Sequence, residues 1–147
     1  NDLVLRVANS LQPLAKAKGI EIHVSCENKL EIKGDEGKLY RAVLNIMDNA
    51  IKFAASSVHV SCQGNGAIHL SISDDGPGVP LESQGRIFER FYRVDKARTR
   101  VTGGSGLGLA IAYEIVSMHD GSLKVNSLSG HGAEFVIMFP LSNLIES

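Results

Sequence analysis

The sequence predicts an α/β sandwich in which helices pack on one face of a mixed, mostly antiparallel sheet. Segments with helical periodicity precede and follow short runs in which apolar and polar residues alternate, and this alternation is typical of half-buried strands. Glycine-containing turns join successive strand runs, as expected for antiparallel neighbours. The 147 residues are enough for a single domain, 1–147, and the 44% share of hydrophobic residues is enough for one core.

The composition excludes several classes of partner and site. Lys and Arg sum to 15 against 16 Asp and Glu, whereas a nucleic-acid or membrane-surface binder needs a basic excess. We therefore expect no nucleic-acid partner and no direct membrane contact, and no apolar run approaches the roughly 20 residues of a membrane span. Cys26 and Cys62 lie too far apart for metal-ligand spacing. They fit a reducing compartment, or at most one disulfide that the sequence cannot establish.

The predicted elements begin and end at residues that favour such boundaries. Gly19 ends the first helix, and Pro13 inside it permits a kink or an early end. Asp35 is a good N-cap for the second helix, and Gly121 ends the third. Residues 27–28 separate the first two strands in a hairpin-like arrangement. The expected helices are 3–17, 35–54 and 106–119, and the expected strands are 20–25, 29–33, 58–63, 67–74, 122–127 and 134–139.

The second helix carries a polar stripe opposite its apolar face. Asn45, Asn49 and Lys52 lie within about 60° of each other on a helical wheel. A solvated face is one interpretation, but Glu and Lys would suit it better because Asn is a mediocre helix former. The other interpretation is a ligand site, since two amide oxygens can bind a hard cation and an ammonium can bind phosphate.

The strand at 67–74 ends in two carboxylates with opposite orientations. The two-residue period puts Asp74 on the apolar side with Ile72 and Asp75 on the polar side. Asp74 either caps the following turn or accepts an N–H from a ligand, such as an exocyclic amine. Gly76 and Gly78 allow the backbone to pass close to a flat ring.

A glycine-rich loop at 103–108 leads directly into the third helix. Such a loop presents N–H groups and the positive end of the helix dipole to an anion, although a flexible hinge remains the alternative. It is not a Walker loop, because no Lys-Ser/Thr follows, and it lacks the preceding strand of a Rossmann fingerprint. The loop before it suits a triphosphate because one acidic residue, Asp95, accompanies four basic ones: Arg93, Lys96, Arg98 and Arg100.

Five segments together resemble the ATP-binding catalytic domain of bacterial sensor histidine kinases, in the gyrase/chaperone/histidine-kinase (GHKL, Bergerat-fold) superfamily. Residues 44–53, LNIMDNAIKF, resemble the family's N box, and residues 74–80, DDGPGVP, resemble its G1 box. Residues 87–93, IFERFYR, are similar to the F box, and residues 104–109, GSGLGL, to the G2 box. Residues 130–135, GHGAEF, resemble the weaker G3 box. Five boxes in this order make the resemblance highly specific.

The resemblance implies roles for individual residues. Asp74 would accept from the adenine amine, Asn49 would hold Mg²⁺ with Asn45 beside it, and Lys52 would contact phosphate. Phe88 and Phe91 would anchor an ATP lid at about 93–105, whose hinge the G2 glycines would shape. The expected catalytic residues are thus Asn45, Asn49 and Lys52. The expected nucleotide-binding residues are these three with Phe53, Asp74, Gly76, Gly78, Val79, Tyr92, Arg93, Arg98, Gly104, Ser105, Gly106, Leu107, Gly108 and Leu109.

The resemblance also implies partners and a location. The chain would bind ATP and Mg²⁺ and donate the γ-phosphoryl group to a histidine on the dimerisation domain of the same kinase, for relay to a response-regulator receiver domain. No acceptor motif is visible, since His119-Asp120 is followed by Gly121 and no other His precedes an acid. We therefore expect the catalytic half only, in the cytoplasm, from a parent that is an inner-membrane sensor.

Three other functions remain as alternatives, and two positions depart from the family pattern. Superfamily ATPases carry a water-activating Glu at the position of Asn45, and Asn cannot act as a general base. A non-catalytic ATP-sensing module and a protein-serine kinase of the anti-sigma type are the other two.

Ala133 stands where the family often has Thr, so a side-chain hydroxyl near the adenine is absent, and Ser105 stands where Thr is common. His119 lies at a helix C-terminus, where the dipole favours a cation.

Overall fold

The computed structural model has three helices and five strands in its described residues. Those residues are 2–26, 34–64, 67–79, 84, 87–89, 107–127 and 132–140. The helices are α1 (Asp2–Lys18), α2 (Glu36–Phe53) and α3 (Gly108–Met118). The strands are β1 (Glu21–Cys26), β2 (Ser57–Gly64), β3 (Ala67–Asp74), β4 (Ser122–Ser127) and β5 (Ala133–Pro140). In this part of the chain, no helix is both long and apolar enough to cross a bilayer.

The strands form one sheet in the order β1-β2-β3-β5-β4. β1 and β2 pair in parallel, and the other three neighbouring pairs are antiparallel. This confirms the predicted mixed, mostly antiparallel sheet. The hairpin predicted for the first two strands is not tested, because its second strand, 29–33, lies outside the described residues. The described partner of β1 is β2, which follows it only after a helix.

The core lies between the helices and one face of the sheet. Ile68, Leu70 and Ile72 alternate along β3 with half-buried polar residues, so the two-residue period predicted from the sequence is confirmed. α1 continues through Pro13 and ends before Gly19, whose φ of 71° favours glycine. The buried residues of α2, the helix with the polar stripe, pack in the same core against this face of the sheet.

The two cysteines are free thiols that lie opposite each other across β1 and β2. Burial, together with a hydrogen bond with Cys26, raises the pKa of the Cys62 thiol to about 12. A thiol with so high a pKa carries almost no thiolate at neutral pH. Cys62 is therefore a packing residue in this state and not a nucleophile.

Candidate functional site

The polar stripe of α2 faces the beginning of α3. The Asn45 Nδ2 donates a hydrogen bond of 3.2 Å to the Gly108 carbonyl oxygen, across 63 residues of sequence. Asn45, Asn49 and Lys52 are all half-buried. Three half-buried side chains, one of them bonded to a second helix, do not form a fully solvated face, and their role toward a ligand stays a prediction. The structure thus brings the Asn45 amide next to the helix that the glycine-rich loop precedes.

Lys52 forms an ion pair on α2 itself. Its ammonium lies 3.2 Å from the carboxylate of Asp48, one helical turn earlier, and the two side chains are 24% and 33% exposed. An acid four residues before a base is the favourable orientation of such a pair. Asp48 was not among the residues predicted from the sequence, although its spacing from Lys52 could have indicated the pair. Asp48 therefore holds the Lys52 ammonium close to the last turns of α2.

Asp74 lies half-buried at the end of β3, between Val58 of β2 and Ala133 of β5. Its Oδ1 accepts a hydrogen bond of 2.9 Å from the Gly76 N–H. The turn-capping role is confirmed, and the role toward a ligand stays a prediction. Ala133, the departure from the family pattern, is buried directly opposite Asp74. A hydroxyl is thus missing immediately beside the carboxylate that would recognise adenine.

The turn after Asp74 packs against the last turn of α2. A Cβ at Gly76 would overlap the carbonyl oxygen of Phe53 and lie 2.9 Å from the Asp74 Oδ1. Gly132, with a φ of +84°, approaches the other side of the turn, where a Cβ would overlap the Asp74 carbonyl oxygen. Only glycine allows these backbones to meet so closely. The Asp74 carboxylate is thereby fixed next to the C-terminal end of α2.

Replacing Gly76 with alanine should destabilise the fold. The new methyl group would overlap backbone, which cannot move away as a side chain can, so we expect a loss on the order of 1–3 kcal/mol in the free energy of unfolding. Gly37→Ala is the matched control, because a Cβ there meets only the Asp35 Oδ1 at 3.5 Å. It should raise stability by up to about 1 kcal/mol, since Gly37 is helical. Urea unfolding of both variants checks the opposite signs.

Asp75 anchors the connection between α2 and β2. Its carboxylate accepts from the backbone N–H groups of Ala55, Ser56 and Ser57 at 2.8–3.1 Å and from the hydroxyls of both serines. The Ser56 hydroxyl, followed by the backbone donors, holds the pKa of Asp75 well below its usual range. Asp74 and Asp75 thus make different contacts, as their opposite orientations predicted. Asp74 bonds within the turn that follows β3, whereas Asp75 holds the connection between α2 and β2.

The low pKa of Asp75 makes stability depend on pH in a defined direction. Its folded-state pKa lies below the unfolded value of about 3.9, so its contribution to stability is present above that pH and is lost as the pH falls. The free energy of unfolding should therefore decrease less steeply in Asp75→Asn than in the parent chain between about pH 5 and pH 2. Urea unfolding at several pH values measures both slopes. Parallel slopes would contradict this role.

A pocket of about 480 Å³ opens at the ends of β3, β4 and β5. Its described lining residues include Asp74 but no residue of α2: Ser73, Asp74, Gln84, Asn126, Ser127, Gly132, Ala133 and Glu134. Val79 is held at its rim, because its N–H donates to the Ser127 Oγ at 2.8 Å and its carbonyl accepts from Gln84 at 3.0 Å. No sequence signal pointed to Gln84 or Ser127, since their contacts join distant segments.

The F box packs on α3 and the sheet through Phe88. Its ring stacks on Tyr113 of α3 at 5.3 Å between centroids and meets Phe135 of β5 edge-on at 6.2 Å. Phe88 is thus fixed on α3 and β5, and its role toward the lid stays a prediction. The predicted lid and several site residues lie outside the described residues: 93–105, with Phe91, Tyr92, Arg93, Arg98, Gly104, Ser105 and Gly106.

The remaining predicted residues lie at the two ends of the site. Gly78, with a φ of 83°, continues the turn after Asp74. Leu107 is the N-cap of α3 without a side-chain cap hydrogen bond, and Leu109 packs half-buried against the core. In the described residues, no three His, Cys, Asp or Glu side chains could together hold a metal ion. The Asn45 side-chain amide does lie next to the first residue of α3.

Residues 34–143 match the protein family described as "Histidine kinase-, DNA gyrase B-, and HSP90-like ATPase". The chain is 42% identical over 124 residues to the sensor-like histidine kinase SenX3 of Mycobacterium tuberculosis strain H37Rv, covering 82% of this chain and 30% of that protein. It is 37% identical over 119 residues to the sensor histidine kinase WalK of Bacillus subtilis strain 168, covering 78% of this chain and 20% of WalK. The chain thus spans less than a third of these relatives.

Solved structures are similar over nearly the whole chain. Full-length ShkA in complex with AMPPNP superimposes with a TM-score of 0.84 at 35% sequence identity, covering 99% of this chain and 30% of that chain. The mycobacterial sensor histidine kinase MprB superimposes with a TM-score of 0.81 at 32% identity, covering 95% of this chain and 92% of that chain. The fold described above is therefore shared along its full length with such proteins.

Proposed function

Since the chain belongs to the family of histidine kinase-, DNA gyrase B- and HSP90-like ATPases, we propose that it binds Mg-ATP and donates the γ-phosphoryl group to a histidine on a separate dimerisation domain. The observation that supports this most is the double contact of α2. Its polar stripe faces the start of α3 through Asn45, and its C-terminal end contacts the Asp74–Gly76 turn. One rigid helix thus connects a base-recognition end with a phosphate-binding end.

The spacing along α2 suits a nucleoside triphosphate. Asn45 and Phe53 are eight residues apart, which corresponds to about 12 Å of helix. Adenine would lie at the Asp74 end, where the half-buried carboxylate can accept from its exocyclic amine. The triphosphate would lie along α2 toward the N-terminus of α3, which has no acidic residue in its first turn. A helix N-terminus of this kind stabilises an anion.

The residues of α2 fit a magnesium ion bound together with phosphate. Mg²⁺ prefers oxygen ligands, keeps several waters and shares its coordination with substrate phosphates, so a single amide oxygen can suffice from the protein. Asn49 would provide that oxygen, with Asn45 beside it, and the ion would neutralise phosphate charge. Lys52 would contact phosphate from its place beside Asp48. Phosphoryl transfer depends mainly on such positioning and charge stabilisation.

Asn45 favours transfer over hydrolysis. An amide cannot remove a proton from water, and the Asn45 Nδ2 is engaged by the Gly108 carbonyl. The isolated chain should therefore hydrolyse ATP slowly. Transfer would require the histidine of the dimerisation domain, and relay would require a receiver domain. Both partners, and a cytoplasmic place in a membrane-anchored parent, are part of the proposal.

Titration calorimetry with ATP, AMPPNP and GTP, each with and without Mg²⁺, tests this function. ATP and AMPPNP should bind with Mg²⁺-dependent affinity. Guanine presents a carbonyl where adenine presents an amine, so two acceptors would face each other at Asp74, costing on the order of 1–3 kcal/mol, or at least several-fold in affinity. No binding of either adenine nucleotide would contradict the proposal. Equal affinities for ATP and GTP would remove Asp74 from the adenine site.

A further inference from the structure

We propose that His119 is a positioning residue for the nucleotide site. Its neutral ring, with the proton on Nδ1, connects the end of α3 to the beginning of α2 and so fixes α3 against α2. His119 is the C-cap of α3, and Asp35 is the N-cap of α2. The inference rests on the proposed function and deepens it, because this helix pairing determines where the beginning of α3, toward which the phosphates would bind, lies relative to Asn45.

The two ring hydrogen bonds determine the protonation of His119. The Nδ1 lies 2.8 Å from the Ile115 carbonyl oxygen, which can only accept, so Nδ1 carries a proton. The backbone N–H of Asp35 donates to Nε2 at 3.0 Å, so Nε2 carries a lone pair. A doubly protonated ring would place two N–H groups against each other. These two bonds therefore suit a neutral ring, although the helix dipole favours a cation at a helix C-terminus.

The beginning of α2 is built to receive this ring. The Asp35 Oδ1 accepts from the Lys38 N–H at 3.0 Å, and the Asp35 carbonyl accepts from the Leu39 N–H at 2.9 Å. The Asp35 Oδ1 and the Asp35 carbonyl oxygen thus both accept from N–H groups inside α2. The backbone N–H of Asp35 instead donates away from α2, to His119. A Cβ at Gly34 would lie 2.8 Å from the His119 Nε2, so the absence of a side chain there makes room for the ring.

Two hydrogen bonds therefore fix α2 against α3, one near each end of the packed helix pair. The Asp35–His119 bond joins the start of α2 to the end of α3, and the Asn45–Gly108 bond joins the middle of α2 to the start of α3. The helices run antiparallel, and the ten residues from Asp35 to Asn45 match the eleven from Gly108 to His119, about 15 Å and about 16.5 Å of helix. Contacts at two points oppose sliding of one helix along the other. Loss of the His119 bond would leave Asn45 and Asn49 less precisely placed against α3.

Two substitutions separate the ring's two hydrogen bonds. In His119→Gln the side-chain amide reaches the position of Nε2, so its oxygen can accept from the Asp35 N–H. In His119→Asn the shorter amide reaches only the position of Nδ1, so it keeps the local bond to Ile115 and loses Asp35. The two variants differ by one methylene group. At a temperature at which circular dichroism shows both folded, Mg-AMPPNP affinity should fall about tenfold in the Asn variant. The Gln variant should stay within about threefold of the parent.

Nuclear magnetic resonance of the ligand-free chain supplies readouts that do not depend on nucleotide. The ¹⁵N shifts of the His119 ring should show a protonated Nδ1 and an unprotonated Nε2. The Asp35 amide should exchange with solvent faster in His119→Asn than in the parent or in His119→Gln. An Nε2-protonated tautomer, an unchanged affinity in the Asn variant, or equal losses in both variants would overturn the positioning role. If the unsubstituted chain fails to bind AMPPNP, the proposed function fails. The tautomer of the His119 ring and the exchange rate of the Asp35 amide still decide whether the contact between Asp35 and His119 exists.

Discussion

Asn49→Ala is expected to abolish histidine phosphorylation when the chain is combined with the His-bearing domain of its parent protein. Asn49 lies half-buried on the α2 stripe that faces α3, where its amide oxygen would hold Mg²⁺. Because phosphoryl transfer depends on placement of the metal and the γ-phosphoryl group, the initial rate should fall at least about a hundredfold. Incorporation of label from γ-labelled ATP into the acceptor histidine measures this rate.

Asn9→Ala is the matched control for that substitution. Asn9 is exposed on α1, so the same amide is removed from a helix away from the site. Alanine is the better helix former, hence neither variant should lose much helical stability through propensity, and thermal unfolding checks this. If the Asn49→Ala variant transferred the phosphoryl group at the rate of the unsubstituted chain, the proposed role of Asn49 in binding magnesium would be contradicted. Label that accumulates stably on this chain alone would contradict the division of roles between two domains.

Asp74→Asn is expected to weaken ATP binding tenfold or more while leaving the chain folded. The carboxylate would accept from the adenine amine, and a hydrogen bond to a charged acceptor contributes roughly 1.5–3 kcal/mol, more than one to a neutral amide. The amide that replaces it can also donate to the guanine carbonyl, so preference for ATP over GTP should decrease at the same time. Calorimetry with both nucleotides measures affinity and preference together.

Asp75→Asn provides the comparison, since the same substitution is made one residue away. Asp75 accepts from Ala55, Ser56 and Ser57 and is exposed, so its loss should lower the melting temperature. The folded fraction should still bind ATP with nearly the parent's affinity. The two variants are thus expected to show opposite patterns, one in affinity and the other in stability. Equal losses of affinity would mean that the opposite orientations of the two carboxylates do not separate their roles.

The features that depend on neighbouring residues could be predicted from the amino-acid sequence alone. The alternation along β3 placed Asp74 and Asp75 on opposite sides, and Asp35 and Gly19 marked helix boundaries that the structure confirms. The five-box resemblance indicated the family. Such signals are readable because strand period, helix period and capping involve residues only a few positions apart. The Asp48–Lys52 pair was also readable by this rule, although it was missed.

Which of these elements contact each other could not be predicted from the sequence. The parallel pairing of β1 with β2, the bond from Asn45 to Gly108 and the approach of Gly76 to Phe53 join segments far apart in sequence. The contact between Asp35 and His119 spans 84 residues, so no local pattern could indicate it. The physical reason is that these contacts form only when buried faces pack together, and packing depends on the whole core. Helix and strand periodicity relate residues only a few positions apart, so they do not indicate which distant backbone segment will contact a given side chain.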